Sequence, residues 1–202
     1  RDAFALGWRL NAILEGRLGM EVLDSYTSER LDHARHYIDF SQELGKIICF
    51  SDEKQAAERD ARMKVELAAR NNQPVPTDIC QLGSGIWCGE SAHAGELSVQ
   101  GLVQARGKQD RFDQAVGQGW ILIGLDAAAA AALTGAQQRQ FASLDGMAVR
   151  VGAPGTACDA VDIEGTYARW FAQLDAKYAL LRPDFYVAIT AKEGPSTAVG
   201  LY

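Results

Sequence analysis

The sequence predicts an α/β protein: a helical segment comes first and a mixed α/β sandwich follows. Three observations carry this. Apolar residues in the first third recur at helical spacing. After Pro76 the glycines become frequent and short apolar runs of strand character appear. Near the end, Arg182-Pro183-Asp184 separates two apolar runs, the pattern of a β-hairpin.

The first helix is read from Ala3, Phe4, Leu6, Trp8, Leu10, Ala12, Ile13 and Leu14, with Gly16 and Gly19 at its end. Its apolar arc is wider than one stripe, so it is expected to be covered on more than one side, in part by a body outside the chain. Left bare, it is expected to become disordered, to aggregate or to bury itself against another copy, and protease is expected to cut first before about Pro76, leaving a core from about Gly95 onward. A second helix is predicted from Val22 to Leu44, where Ala34, Tyr37, Ile38, Ser41 and Leu44 follow the helical period. A third, very polar helix starts after Ser51 as N-cap and ends at Asn71-Asn72, with Ala56, Met63 and Leu67 as a thin apolar face. Pro74-Val75-Pro76 reads as a linker, because proline fixes the backbone and ends helices. Beyond it, Gly119–Leu125 suits a buried strand, Ala127–Ala132 and Gln137–Leu144 favour helix, and Met147–Val151 alternates as a strand. Tyr167, Trp170, Phe171 and Leu174 mark one face of a helix over Asp162–Asp175. Tyr178–Leu181 and Phe185–Ile189 form the closing hairpin, with Pro183 presetting the turn and Asp184 bonding its own backbone. The order strand, helix, strand, helix, strand, strand is that of a thioredoxin-type sandwich.

Composition narrows the functional classes. Of 202 residues 48% are apolar and 23% charged, and the net charge is −6. That balance excludes wholesale disorder, and the absence of a basic stripe argues against a nucleic-acid partner. The longest apolar stretch, Trp120–Leu133, is short and broken by Asp126, so no membrane partner is expected. The opening Arg1-Asp2-Ala3-Phe4 has neither the layout of a signal peptide nor an initiator Met, as expected of a piece of a longer chain. Cys49, Cys80, Cys88 and Cys158 are irregularly spaced, which reads as reduced thiols in the cytoplasm.

No catalytic constellation is complete, so no catalytic residue and no metal ligand is assigned. His33 and His36 are three apart on the second helix and read as part of a charged, solvated face. Cys80, Cys88 and His93 have no zinc spacing. A redox-active thioredoxin fold places Cys-x-x-Cys at the helix after its first central strand. Here Leu125 is followed by Asp126 and alanines, so the sandwich lacks the CxxC motif and disulfide exchange is not expected. Cys158 reads as a packing or surface thiol. Gly83-x-Gly85 and Gly117-x-Gly119 fall short of a phosphate cradle and read as flexible or tightly turning loops.

Two segments carry a family resemblance. The first is Arg1-Asp2-Ala3-Phe4-Ala5-Leu6-Gly7-Trp8-Arg9-Leu10, then Leu23-Asp24-Ser25-Tyr26-Thr27-Ser28-Glu29-Arg30 and Asp32-His33-Ala34-Arg35. It resembles the end of the flavin domain in single-component FAD-dependent aromatic hydroxylases of the 3-(3-hydroxyphenyl)propionate hydroxylase and phenol hydroxylase types. The second is Phe112-Asp113-Gln114-Ala115-Val116-Gly117-Gln118-Gly119-Trp120, Tyr167–Phe171 and Leu181-Arg182-Pro183-Asp184-Phe185-Tyr186-Val187-Ala188. It resembles the thioredoxin-like C-terminal domain of the same enzymes.

The resemblance implies residues 1–72 as closing helices of the flavin domain, 73–94 as linker and 95–202 as the thioredoxin-like domain. The family's dinucleotide fingerprint would precede residue 1. The chain would then be the C-terminal part of an enzyme that uses FAD and NAD(P)H to hydroxylate a phenolic substrate through a flavin hydroperoxide. By itself it would bind no cofactor and serve structure or oligomerisation, including homodimer contacts, with the N-terminal flavin domain as its missing partner. Arg1 and Asp2 would lie close to the flavin. Glu29 and Arg30 match a Glu-Arg pair that reads as structural, and Ala5 stands where the family usually has Asn. The alternative is a stand-alone, redox-inactive thioredoxin-like module for binding or assembly.

Overall fold

In a computed structural model the chain is described over residues 1–73, 80–86, 91–125 and 133–194. Pro74-Val75-Pro76, Cys88, Asp126 and the alanine run fall outside them. The chain divides into two compact units, Arg1–Arg30 with Gln81–Tyr202, and Leu31–Cys80.

Three helices open the chain. α1 spans Asp2–Leu14, and the left-handed Gly16 (φ 69°) follows its C-cap Glu15. A short 3₁₀ turn, Met20–Leu23, holds Val22, so α2 begins later than the apolar spacing suggests and runs Asp24–Ile48. α3 spans Glu53–Ala69. Its N-cap is Asp52 rather than Ser51: the Asp52 carboxylate accepts the Gln55 backbone N–H at 2.8 Å. Asn71 and Asn72 end it in the left-handed region (φ 52° and 58°), which their short polar side chains tolerate.

The sheet holds seven strands in the order β2-β1-β5-β4-β3-β6-β7. β1 (Leu102–Ala105) and β2 (Lys108–Arg111) form a hairpin around Arg106-Gly107, both at positive φ. α4 (Phe112–Ala115) follows, then β3 (Ile121–Gly124), buried throughout. α5 (Gly135–Ser143) starts with a reciprocal cap between Thr134 and Gln137. β4 (Met147–Gly152) lies parallel to β3 and to β5 (Ala160–Asp162). α6 (Thr166–Leu174) leads to the closing antiparallel pair β6 (Tyr178–Leu181) and β7 (Val187–Ala191). A central parallel pair with this hairpin at its side is the thioredoxin-type arrangement. The fold class read from sequence holds, and β1, β2 and β5 add to it.

Two further expectations shift. The sixth helix begins at Thr166 rather than Asp162, because Asp162 ends β5 and turns its carboxylate to the N–H groups of Thr166, Tyr167 and Ala168 at 2.8–3.3 Å. The last strand begins at Val187, because Phe185 is left-handed (φ 64°) and closes the turn through its N–H to Arg182 O at 2.9 Å.

The central strands β3 and β6 divide their side chains between two cores. Ile121, Ile123, Ala179 and Leu181 pack with Phe112, Tyr167, Trp170 and Phe171 on one face. Leu122, Tyr178 and Leu180 pack on the other with Phe141 of α5 and Trp8 of α1. The opening helix is thus a layer of the sandwich. Trp8 meets Trp120 edge-on, with ring centres 5.9 Å apart. The arc is still only half covered: Phe4, Leu10 and Leu14 remain exposed.

In Leu31–Cys80 the described residues form the rest of α2 and α3. Arg59 donates to Ile47 O and lies over the Phe50 ring, while no α3 residue is buried. Among the described residues no helix is long and apolar enough to cross a membrane.

Candidate functional site

Three short motifs from distant parts of the sequence meet beside the second core. Trp8-Arg9 comes from α1, Glu29-Arg30 from the first turns of α2, and Arg182-Pro183-Asp184 from the β6–β7 turn. Arg9, Glu29 and Arg182 have fully buried side chains, and Asp184 is nearly so. Glu29 divides its oxygens: Oε2 accepts from Arg9 Nη2 at 2.7 Å and Oε1 from Arg182 Nη1 at 2.7 Å. Asp184 accepts from Arg182 Nε at 3.0 Å and Nη2 at 2.6 Å, and from Trp8 Nε1 at 3.0 Å. Arg9 also donates to Ser25 Oγ and to Ala5 O. Two cations face two anions, so the buried charge balances.

Burial pushes the Arg9 guanidinium down from its ordinary range, against the pull of Glu29. Burial acts on Arg182 in the same direction, but Asp184 and Glu29 outweigh it and the net shift is upward. An arginine does not lose its proton in a protein, so the network is ionic whenever its acids are ionised.

Close backbone approach completes the pocket around Glu29. Ile86 N–H donates to Glu29 Oε1 at 2.8 Å. A Cβ on Gly85 would stand 2.1 Å from Glu29 Cγ, and one on Gly83 would stand 2.5 Å from Ser28 O. Gly83-x-Gly85 is therefore required by contact with α2, which corrects its reading as a flexible or turning loop. Gly117 and Gly119 do sit at positive φ (118° and 138°), as a tight turn needs.

Arg1 and Asp2 lie exposed at the start of α1. Asp2 Oδ1 accepts from Arg30 Nε at 2.7 Å, and Arg30 Nη1 donates to the Tyr186 hydroxyl at 3.4 Å. Arg1 lines a cavity of about 140 Å³ with Phe4, Ser98, Asp113 and Tyr186. A larger cleft of about 390 Å³ runs along α1 past Gly7, Asn11, Gly119 and Leu144.

Other candidates settle as packing. His33 is buried with its ring 4.8 Å from that of Tyr37, which corrects the solvated face expected for it. Among the described residues no three His, Cys, Asp or Glu side chains gather as a metal site would need. His93 pairs with Glu96 at 3.1 Å. Cys158 is half-buried beside Gly152, whose added Cβ would meet Cys158 Cβ at 3.0 Å. Asp184 serves Arg182 and Trp8 instead of its own backbone, which corrects the turn mechanism expected for it.

The Glu29-Arg30 pair was legible as structural. Arg9, Arg182 and Asp184 stand in the sequence as parts of the turn and of the two family-like segments, not as one charged cluster, although a signal for burial existed. Arg9 lies between Trp8 and Leu10, and Arg182 follows four apolar residues. A charge inside such a run is held indoors only when paired.

Comparison with known proteins adds the following. The HcaD C-terminal domain family model matches residues 95–200, and an FAD binding domain family model matches residues 1–41. A probable NADH-specific resorcinol 4-hydroxylase of Rhodococcus jostii is 31% identical over 98% of this chain and 37% of its own length. A 3-(3-hydroxy-phenyl)propionate/3-hydroxycinnamic acid hydroxylase of Klebsiella pneumoniae is 27% identical over 95% of this chain and 38% of its own length. Among solved structures, the OxyS anhydrotetracycline hydroxylase of Streptomyces rimosus matches 97% of this chain and 37% of its own, with a TM-score of 0.59 at 20% identity, a likeness of fold. The chain spans little more than a third of the curated relatives it matches.

Proposed function

Because the chain belongs to the HcaD C-terminal domain family, we propose that it is the C-terminal part of an FAD-dependent, NAD(P)H-using hydroxylase of phenolic substrates. The observation that carries this reading is the order of the two family matches in one chain, flavin-binding first. A relative similar over 98% of the chain supports the substrate class, being described as a probable NADH-specific resorcinol 4-hydroxylase. On this reading residues 1–72 close the flavin domain, 73–94 link and 95–202 form the thioredoxin-like domain, in a cytoplasmic enzyme.

The residues at the start of α1 fit an FAD neighbour. α1 is 13 residues long, no side chain caps its first turn among the described residues, and Arg1 and Asp2 are exposed there. The backbone N–H groups and the positive end of the helix dipole favour an electron-rich ring edge. We place Arg1 and Asp2 beside the flavin on that ground. Bound reduced flavin would supply the electrons that activate oxygen. What this chain supplies is the helix, its orientation and the charge that holds it. Exposed Leu31, Ile38, Phe40 and Ile48 on α2 support homodimer contacts as a further role of the segment.

The test uses the full-length polypeptide encoded by the gene that carries this sequence. It is expected to purify with the visible absorbance of bound flavin and to couple NADH or NADPH oxidation to addition of one oxygen atom to a phenol, read by mass spectrometry. A full-length protein that neither holds flavin nor oxidises NAD(P)H in the presence of phenols overturns the reading in favour of the stand-alone module. Light scattering checks the dimer separately, and a strict monomer removes it.

A further inference from the structure

We infer that the Arg182-Pro183-Asp184 turn is a positioning latch, through which the thioredoxin-like domain sets where the flavin-side helix α1 stands. The inference rests on the flavin reading above. Arg9 and Glu29 lie in the stretch matched by the FAD binding domain model, and Arg182 and Asp184 lie in the HcaD C-terminal domain match. The network therefore spans the two matches, with every one of its four charged side chains buried.

Its geometry restricts motion. Both Glu29 oxygens and both Asp184 oxygens are engaged, at 2.6–3.0 Å, by donors from α1 and from the β6–β7 turn. The planar fork of Arg182 on both Asp184 oxygens fixes direction as well as distance. A second attachment sits nearer the helix start. Arg30 grips Asp2 at 2.7 Å and reaches the hydroxyl of Tyr186, two residues past Asp184. The turn thus holds α1 at its first turn, through Arg30, and again at Trp8-Arg9. Two points of attachment fix both the axial position and the tilt of a helix.

Energetics favour a role in position over one in stability. A buried ion network yields little net stability compared with apolar residues of the same volume. Trp8 against Trp120 already supplies apolar contact between α1 and the sheet. What the charged network adds is a single register for the helix. Arg182 is accordingly a positioning residue that acts through Glu29 and Trp8.

The experiment compares full-length Arg182→Lys and Trp8→Phe with Leu174→Ala. The first keeps the charge and loses the fork, and the second keeps an aromatic ring, smaller than the indole, and loses the N–H that donates to Asp184. Leu174 lies in the other core and controls for stability alone. Arg182→Lys and Trp8→Phe are expected to weaken FAD binding by about fivefold or more, the usual lower range of coupling between sites. They are also expected to shift the visible band of bound flavin and to release more hydrogen peroxide per NAD(P)H oxidised. Leu174→Ala, even with a larger fall in melting temperature, should leave the flavin spectrum and FAD affinity at wild-type values. Unchanged flavin properties in both latch variants overturn the latch and leave the flavin reading standing. An equal change in Leu174→Ala does the same. A wild-type protein without flavin overturns both.

Discussion

Removing the Glu29 carboxylate leaves two guanidinium groups facing each other in a dry interior. Arg9 and Arg182 each lose a 2.7 Å partner, and neither side chain reaches water. Breaking a buried pair from one side costs about 3–5 kcal/mol. Glu29→Gln is therefore expected to lower the unfolding free energy by that order, read as a shift of the urea midpoint. A change no larger than that of an exposed pair such as Lys46–Glu43 would contradict it. Tyr167 makes a second, pH-dependent case. Burial raises its hydroxyl well above the ordinary tyrosine range, while the hydroxyl donates to Val99 O and accepts from Gly101 N–H. The unfolded chain ionises this group near pH ~10 and the folded chain keeps it neutral. Ionisation thus favours the unfolded state, and the stability held below pH ~10 is lost as pH rises above it. Tyr167→Phe is expected to flatten this alkaline fall while losing about 1 kcal/mol at neutral pH. A parallel alkaline limb in both proteins would refute the assignment.

The two glycines Gly85 and Gly45 show how an element's surroundings decide the effect of one methyl group. A Cβ on Gly85 would run into the Glu29 side chain at 2.1 Å, whereas one on Gly45, inside α2, meets nothing within 4 Å. Gly85→Ala is expected to destabilise by about 1–3 kcal/mol, and Gly45→Ala to stabilise by about 0.5–1 kcal/mol. Thermal melts of the two variants check both signs. Neither glycine is legible in the sequence: the apolar period ends the second helix at Leu44, one residue short of Gly45, and the constraint on Gly85 comes from a residue 56 positions away in the chain. The same limit explains the missed strands. β2 is Lys-Gln-Asp-Arg, an edge strand with no apolar alternation to reveal it. β5 has only three residues, too few to show a period, and its last, Asp162, reads as the start of the following helix. Elements whose own side chains carry the period, β3 and α6 above all, were readable within a few residues. The site was less so. Its motifs stood out in the sequence one at a time, and their convergence is a property of the sheet order.

At the scale of the molecule, what matters is which parts the opening helix belongs with. Its apolar arc pointed to a cover outside the chain, yet Ala5, Trp8 and Arg9 are buried within the unit formed by Arg1–Arg30 and Gln81–Tyr202. Burying Trp8 alone contributes about 1.5–3 kcal/mol, before the network that surrounds it. α1 should therefore not be the first part released by protease. Leu31–Cys80 is the weaker unit, since α3 has no buried residue and presents Arg62 and Lys64 to solvent. Local opening follows from few buried contacts. Brief trypsin treatment is expected to cut first in α3, producing two fragments that elute together under native conditions and separate only in denaturant. The N-terminal fragment stays because Trp8, Arg9 and Glu29 remain bound to Trp120, Arg182 and Asp184. With Glu29→Gln the same cut should let that fragment dissociate, so co-elution before and after the substitution weighs the network against the apolar contact. Early cleavage before Trp8, or fragments that part at once in the unsubstituted protein, would show instead that α1 leans on something beyond this chain.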